Sequence, residues 1–272
     1  MPHPATAVQE TTGGIAPHLR RLLEFVEPDR DDVCLDVARG RGPMPAALRP
    51  RVRHVTAVDA TPAPEEPGRS GRMATVEFGT GPVRITGSPD DGDRPPAMAT
   101  REDPRPRPAA PAVEADATAL PYHDNTFSLV TARFSLYTLG EPERVLRELL
   151  RVCRPGGRLI IADLVRGNLA GPERDRIERL RDPDHPGTPS IARLTEMITS
   201  AGASIRRLDV FTVERPVEPW LAGARDEASA DRIREALTDE VDGGPRTGAK
   251  PRVIGGELWF TQSWAHVAAE PI

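Results

Sequence analysis

At 272 residues and a net charge of −5 at pH 7, the chain is long enough to bury a full core, with a single α/β domain over 1–272 as the expectation. It carries no electrostatic excess that would point to nucleic acid. Cys34 lies in an apolar run and Cys153 in RVCRPGG, so neither a disulfide framework nor a metal-ligand cluster is expected. There is no charged start before an apolar stretch and no run of about 18 apolar residues, so a cytoplasmic protein without a membrane partner is expected. Only Lys250 among the 36 basic residues is a lysine. The many arginines are therefore expected on the surface, and any single one carries little information.

The first periodic segment, APHLRRLLEFV, places Leu19, Leu22, Leu23 and Val26 on one helical face before Pro28 and Asp29 close it. DVCLDVA then reads as a buried strand ending at Asp36, PMPAALRP as a short helix with Pro43 and Pro45 fixing its first turn, and RVRHVTAVD as a strand ending at Asp59. Strand, glycine turn, helix and strand form a βαβ unit. Residues 63–111 break the pattern with ten prolines and seven arginines, a composition that excludes a long helix. ATVEF and VRIT suit a hairpin through GTGP, and 87–111 suits an extended loop.

Order resumes with a short strand ending at Asp116 and a stronger one over Phe127–Ala132. A helix follows that opens at Pro142 and shows Val145, Leu146, Leu149 and Leu150 on one face; Pro-Gly-Gly ends it before an apolar strand. Downstream the chain predicts a polar helix in GPERDRIERLRDPDHPG, a helix capped by Ser190, a long strand in SIRRLDVFTVE, a helix in DEASADRIREAL and a last strand in GELWFTQSWAHVAA.

Taken together, CLDVARGRG, VTAVDATP, EADATALPY, FSLVTARFSLYTL and RVCRPGGRLIIADLV resemble the class I S-adenosylmethionine (SAM) methyltransferases. Within that class they resemble the small-molecule enzymes grouped with the ubiquinone and menaquinone C-methyltransferases, and IERLRDPDHPGT and GELWFTQSW extend the likeness. The resemblance implies a doubly wound, seven-stranded Rossmann-like sheet with its last strands antiparallel and a helical cover over the pocket at 165–200. It implies that Asp36, Ala38, Gly40 and Gly42 approach the methionine part of SAM, that Asp59 binds the ribose hydroxyls, and that Asp116 and Ala117 meet the adenine.

Two departures bear on function. Arg39 and Arg41 stand in a turn that normally needs small residues for close backbone approach; they either turn outward or lie across the volume of the methionine and its cationic sulfonium. Residues 63–111 replace the helix expected between the second and third strands. Arg133 and Phe134, at the carboxyl end of their strand, and His185, after the polar helix, are expected to touch substrate. Tyr137 stands where relatives often carry a histidine. Arg176, Arg179 and Arg181 are assigned to a solvated helix face.

Three functions remain open on these residues. The favoured one is an enzyme of natural-product metabolism that has left SAM behind, needs no cofactor, and closes a ring on a small anionic metabolite. In it Arg39 and Arg41 hold the anionic leaving group and Tyr137 orients the substrate. The second is an active SAM-dependent methyltransferase, and the third a non-catalytic partner subunit. The Pro-rich segment 63–111 is expected either to fold back over the sheet edge or to frame a contact with another subunit.

Overall fold

The computed structural model of the protein describes residues 17–38, 42–61, 84–86, 112–133, 136–139, 141–167 and 172–272. In chain order the elements are α1 (Pro17–Val26), β1 (Val33–Ala38), α2 (Met44–Leu48), β2 (His54–Thr61), β3 (Arg84–Thr86), β4 (Ala112–Asp116), β5 (Phe127–Arg133) and α3 (Pro142–Val152). They continue with β6 (Cys153–Val165), α4 (Pro172–Arg181), α5 (Ile191–Ser200), β7 (Ala203–Pro216), α6 (Val217–Leu221), α7 (Glu227–Val241), β8 (Arg252–Ile254) and β9 (Glu257–Pro271).

The sheet runs in the order β3-β7-β9-β6-β5-β1-β2-β4, with β8 paired to β9. Strands β4, β2, β1, β5 and β6 are parallel, and β9 is antiparallel to both β6 and β7. The seven expected strands are all present, and β3 and β8 add two short ones. The chain leaves β1 toward β2 on one side and β5 lies on the other, so β1 is the switch point of the sheet. In open α/β sheets the ligand crevice lies outside the carboxyl ends of the strands at such a point.

Alternation along the strands sorts the two faces. Leu35 and Val37 of β1, Val130 and Ala132 of β5, and Ile161 of β6 pack with Val145, Leu146 and Leu149 of α3 and with Leu194, Met197 and Ile198 of α5. Cys34, Leu129, Ile160 and Ala162 face the other way, against Leu19, Leu22, Leu23 and Val26 of α1 and Met44 and Leu48 of α2. Full burial of each such aliphatic side chain contributes about 1.5–3 kcal/mol, so α3, with four of them aligned, is held chiefly by packing. Proline in its first turn sets its start, and the extended backbone of Cys153 with Gly156 at φ +71° ends it. Both cysteines are buried and free.

At the amino end of the parallel strands, Arg158 ties the layers together. It donates to the carbonyls of Val26 (3.0 Å) and Glu27 (2.8 Å) and pairs with Asp32, which also accepts from Ser128 Oγ at 2.7 Å. Structural polar chemistry is thus kept at this end.

A second core joins α4, α6, α7 and the start of β9 through Ile177, Val217, Trp220, Leu221, Ile233, Leu237 and Phe260. The segment 165–200 therefore divides. Helix α4 belongs to this lobe, whereas α5, capped by Ser190 Oγ accepting from Arg193 N at 3.1 Å, belongs to the main sheet layer.

The expected ATVEF–VRIT hairpin falls only in part on described residues. Arg84–Thr86 forms β3, and its described partner is Thr212–Glu214 of β7. Between β2 and β4 the chain thus visits the opposite edge of the sheet; among the described residues of 63–111 there is no helix. Residues 62–83 and 87–111, and with them the extended-loop expectation, lie outside the described set.

Candidate functional site at the carboxyl edge

Asp36 is third from the end of a buried strand, and its side chain faces the α1/α2 layer. It is 2 % exposed and accepts a hydrogen bond from Thr131 Oγ1 of β5. Burial holds its carboxyl above the usual range, against the pull of that hydroxyl and of the Arg133 guanidinium. Arg133, two residues beyond Thr131, projects on the same face. A Cβ placed on Gly42 would lie 2.9 Å from Arg133 Nη2, so the guanidinium rests against the last glycine of the turn. Burial lowers its pKa and Asp36 raises it. A cation so placed is suited to hold an anionic group brought to the turn.

Ala38 is buried at the end of β1 and pairs in register with Asp59 of β2, which is half-buried. Thr61 pairs in turn with Asp116, the last residue of β4. Asp116 Oδ1 accepts from Thr118 N and Thr118 Oγ1, both at 2.8 Å, and Ala117 is buried in the main core. Three acids therefore stand at or near the carboxyl ends of three adjacent parallel strands. Arg39, Gly40, Arg41 and Phe134 lie outside the described residues.

Tyr137 and His185 stand apart from this group. Tyr137 packs against the α3/α5 layer and its hydroxyl donates to Met197 Sδ at 3.5 Å. Burial, then the charge of Asp163, pushes its pKa up to about 12, so it stays protonated. His185 lies half-buried in the turn after α4, with Nε2 3.3 Å from Thr188 Oγ1.

Two features escaped the sequence reading. Asp163, near the carboxyl end of β6, is buried and accepts from Leu164 N (2.8 Å) and Leu136 N (3.3 Å). Burial pushes it up to about 7, with both N–H groups opposing. No periodic signal marks it within an apolar strand.

The second concerns α4. Arg176 is exposed, as is Arg179, but Arg181 is buried together with Arg174 and Glu178, which corrects the solvated-face expectation for Arg181. Spacing could have revealed this, because Arg174, Ile177, Glu178 and Arg181 fall at i, i+3, i+4 and i+7 and share one face.

A doubly wound sheet switching at β1, with acids at or near the carboxyl ends of β1, β2 and β4, defines the class I methyltransferase architecture. Residues 91–161 match a family model described as a methyltransferase domain. The chain is 34% identical over 141 residues to the demethylmenaquinone methyltransferase of Clavibacter sepedonicus, which is 51% of this chain and 43% of that protein. Its fold matches the YcgJ protein of Bacillus subtilis with a TM-score of 0.66 at 17% identity, covering 93% of this chain and 97% of that one. It matches the [4+2]-cyclase SpnF with a TM-score of 0.50 at 18% identity, covering 97% and 85%. The chain thus has the class I methyltransferase fold, and part of it matches a methyltransferase domain. It spans less than half the length of the first curated relatives it matches. Among the described residues no helix is long and apolar enough to cross a membrane.

Proposed function

We propose that the protein is a small-molecule enzyme whose reaction takes place at the carboxyl edge of β1, β5 and β6, and that it transfers a methyl group from SAM. The observation that carries this is the row formed by Asp36, Asp59 and Asp116 on neighbouring strand ends. Asp59 and Asp116 are half-buried and suit the ribose and adenine, and Arg133 against Gly42 suits the methionine carboxylate. SAM, when bound, supplies an electrophilic methyl on a sulfonium. The protein's own part is to align the acceptor and exclude water, which accounts for most of such a reaction's acceleration. The names of the curated relatives support this reading over a cofactor-free enzyme.

A second reading, ring closure without methyl transfer on an anionic metabolite of specialised metabolism, is favoured by Arg133. A half-buried guanidinium at the turn repels a sulfonium as readily as it attracts a carboxylate. Isothermal titration with SAM and S-adenosylhomocysteine separates the two. Methyl transfer expects micromolar binding of both, lost in Asp59→Ala; no binding at millimolar ligand eliminates it and leaves the ring-closure reading. An assembly role for 63–111 is a further proposal, tested by size-exclusion chromatography with light scattering. A strict monomer in every mixture with pathway partners counts against it.

A further inference from the structure

Three arginines outside the turn converge beside this edge. Arg174 and Arg181 lie two turns apart on the buried face of α4, and Arg215 is the next-to-last residue of β7; all three are less than 10 % exposed. Arg174 pairs with Glu178 through Nη2, and its Cζ lies 5.1 Å from the Phe260 ring centroid and 5.7 Å from that of Trp220. Arg181 donates from Nε to the Trp220 carbonyl at 3.0 Å and sits 5.1 Å over the same ring. Arg215 Nη1 is 3.5 Å from Gln262 Oε1.

Among the described residues, the buried acids of α4 are already engaged. Glu178 is bonded to Arg174 and its charge also acts on Arg181 and Arg215, while Asp182 acts on Arg181. Asp175, on the same helix, accepts from Thr188 N and faces Arg166, while Glu214 is paired with Arg252. Arg174 Nη1 is buried with no hydrogen-bond partner, which costs about 1–3 kcal/mol or more in a charged group. Burial and then Arg181 push Arg215 down to about 10, the response of a guanidinium held beside another. Arg215 pairs in register with Phe260 of β9, three residues before Ser263, which pairs with Val165 at the carboxyl end of β6.

We propose that Arg174, Arg181 and Arg215 form a binding site for an oxyanion carried by the substrate, a carboxylate, phosphate or sulfate, between α4 and the ends of β7 and β9. Packing on Trp220 and Phe260 accounts for where Arg174 and Arg181 lie, but it leaves Arg174 Nη1 unmet; an oxyanion meets it and offsets the excess positive charge. The inference rests on the reading of this edge as the substrate site and specifies the substrate as anionic.

The probe is inorganic pyrophosphate, with phosphate and sulfate compared at constant ionic strength, titrated into the full chain by calorimetry and thermal shift. Saturable pyrophosphate binding is expected in the wild type. It should weaken at least tenfold in Arg215→Gln and vanish in the double variant Arg174→Met/Glu178→Met, which removes the ion pair together and keeps the volume. Arg181→Lys, which keeps the charge and loses the fork, should weaken binding about threefold to tenfold and carries the test if another variant fails to fold. The exposed Arg234→Gln should bind as wild type. A response in the wild type no larger than a salt effect, or equal affinity in all the cluster variants, overturns the proposal. Titration of S-adenosylhomocysteine into the same proteins is read separately: its failure removes the methyl-transfer reading and leaves the anion site standing.

Discussion

His266→Phe should flatten the acid side of the protein's stability profile. His266 is 1 % exposed on β9, its ring centroid 5.3 Å from Phe25 and 4.8 Å from Phe211, and its Nδ1 has no hydrogen-bond partner. Burial lowers its pKa from 6.5 to about 4. Below pH 6.5 the unfolded chain takes a proton that the folded chain refuses, so the contribution is fully present above 6.5 and is lost as pH falls toward 4. For this shift about 2.5 kcal/mol is gone by pH 4.5 and about 3 kcal/mol in all. His18, 5.6 Å from Trp264 and also lowered to about 4, adds a similar share. Part of the His266 shift comes from His18 itself, so the sum falls short of double. Urea unfolding followed by far-UV circular dichroism at pH 7.5 and 4.5 measures this. Phenylalanine keeps the aromatic packing and cannot titrate, so the variant should lose about 2 kcal/mol less than wild type between the two pH values. Any constant packing cost acts at both pH values and cancels. An identical loss in the two proteins would refute the assignment.

Asp163→Asn should stabilise the protein at pH 8 and much less at pH 5. The folded carboxyl keeps its proton up to about pH 7 while an ordinary one releases it near 3.8, so its contribution falls as pH rises through that window, by a few kcal/mol. Thermal melts shifted equally at both pH values would sink this account. Gly42→Ala should change stability by only about 1 kcal/mol, because the added Cβ meets the far end of the flexible Arg133 side chain at 2.9 Å. The displaced guanidinium should weaken S-adenosylhomocysteine binding about tenfold; calorimetry showing unchanged affinity would remove Arg133 from the site.

The parallel strands were legible in the sequence, and the resemblance pointed to the acids at their edge; the switch at β1 emerged from the strand order. Buried parallel strands are continuous apolar runs, and helix starts and stops such as Ser190 and Pro142 are local chemistry. Val33–Ala38 and Phe127–Arg133 are legible for that reason; Asp36 and Asp59 were expected to end their strands, but each strand runs two residues further, to Ala38 and Thr61, and Asp116 alone of the three is a last residue. Which arginines matter depends on packing between distant segments. Arg181 and Arg179 are alike in a sequence with a single lysine, and the lobe of α4, α6 and α7 buries the first while leaving the second exposed. Arg133 became a candidate cofactor contact because β5 lies beside β1 and turns its last residue toward Gly42. The raised carboxyl of Asp163 and the pairing of β3 with β7 have the same origin: burial and strand partnership arise between segments far apart in the chain, and no local pattern encodes them.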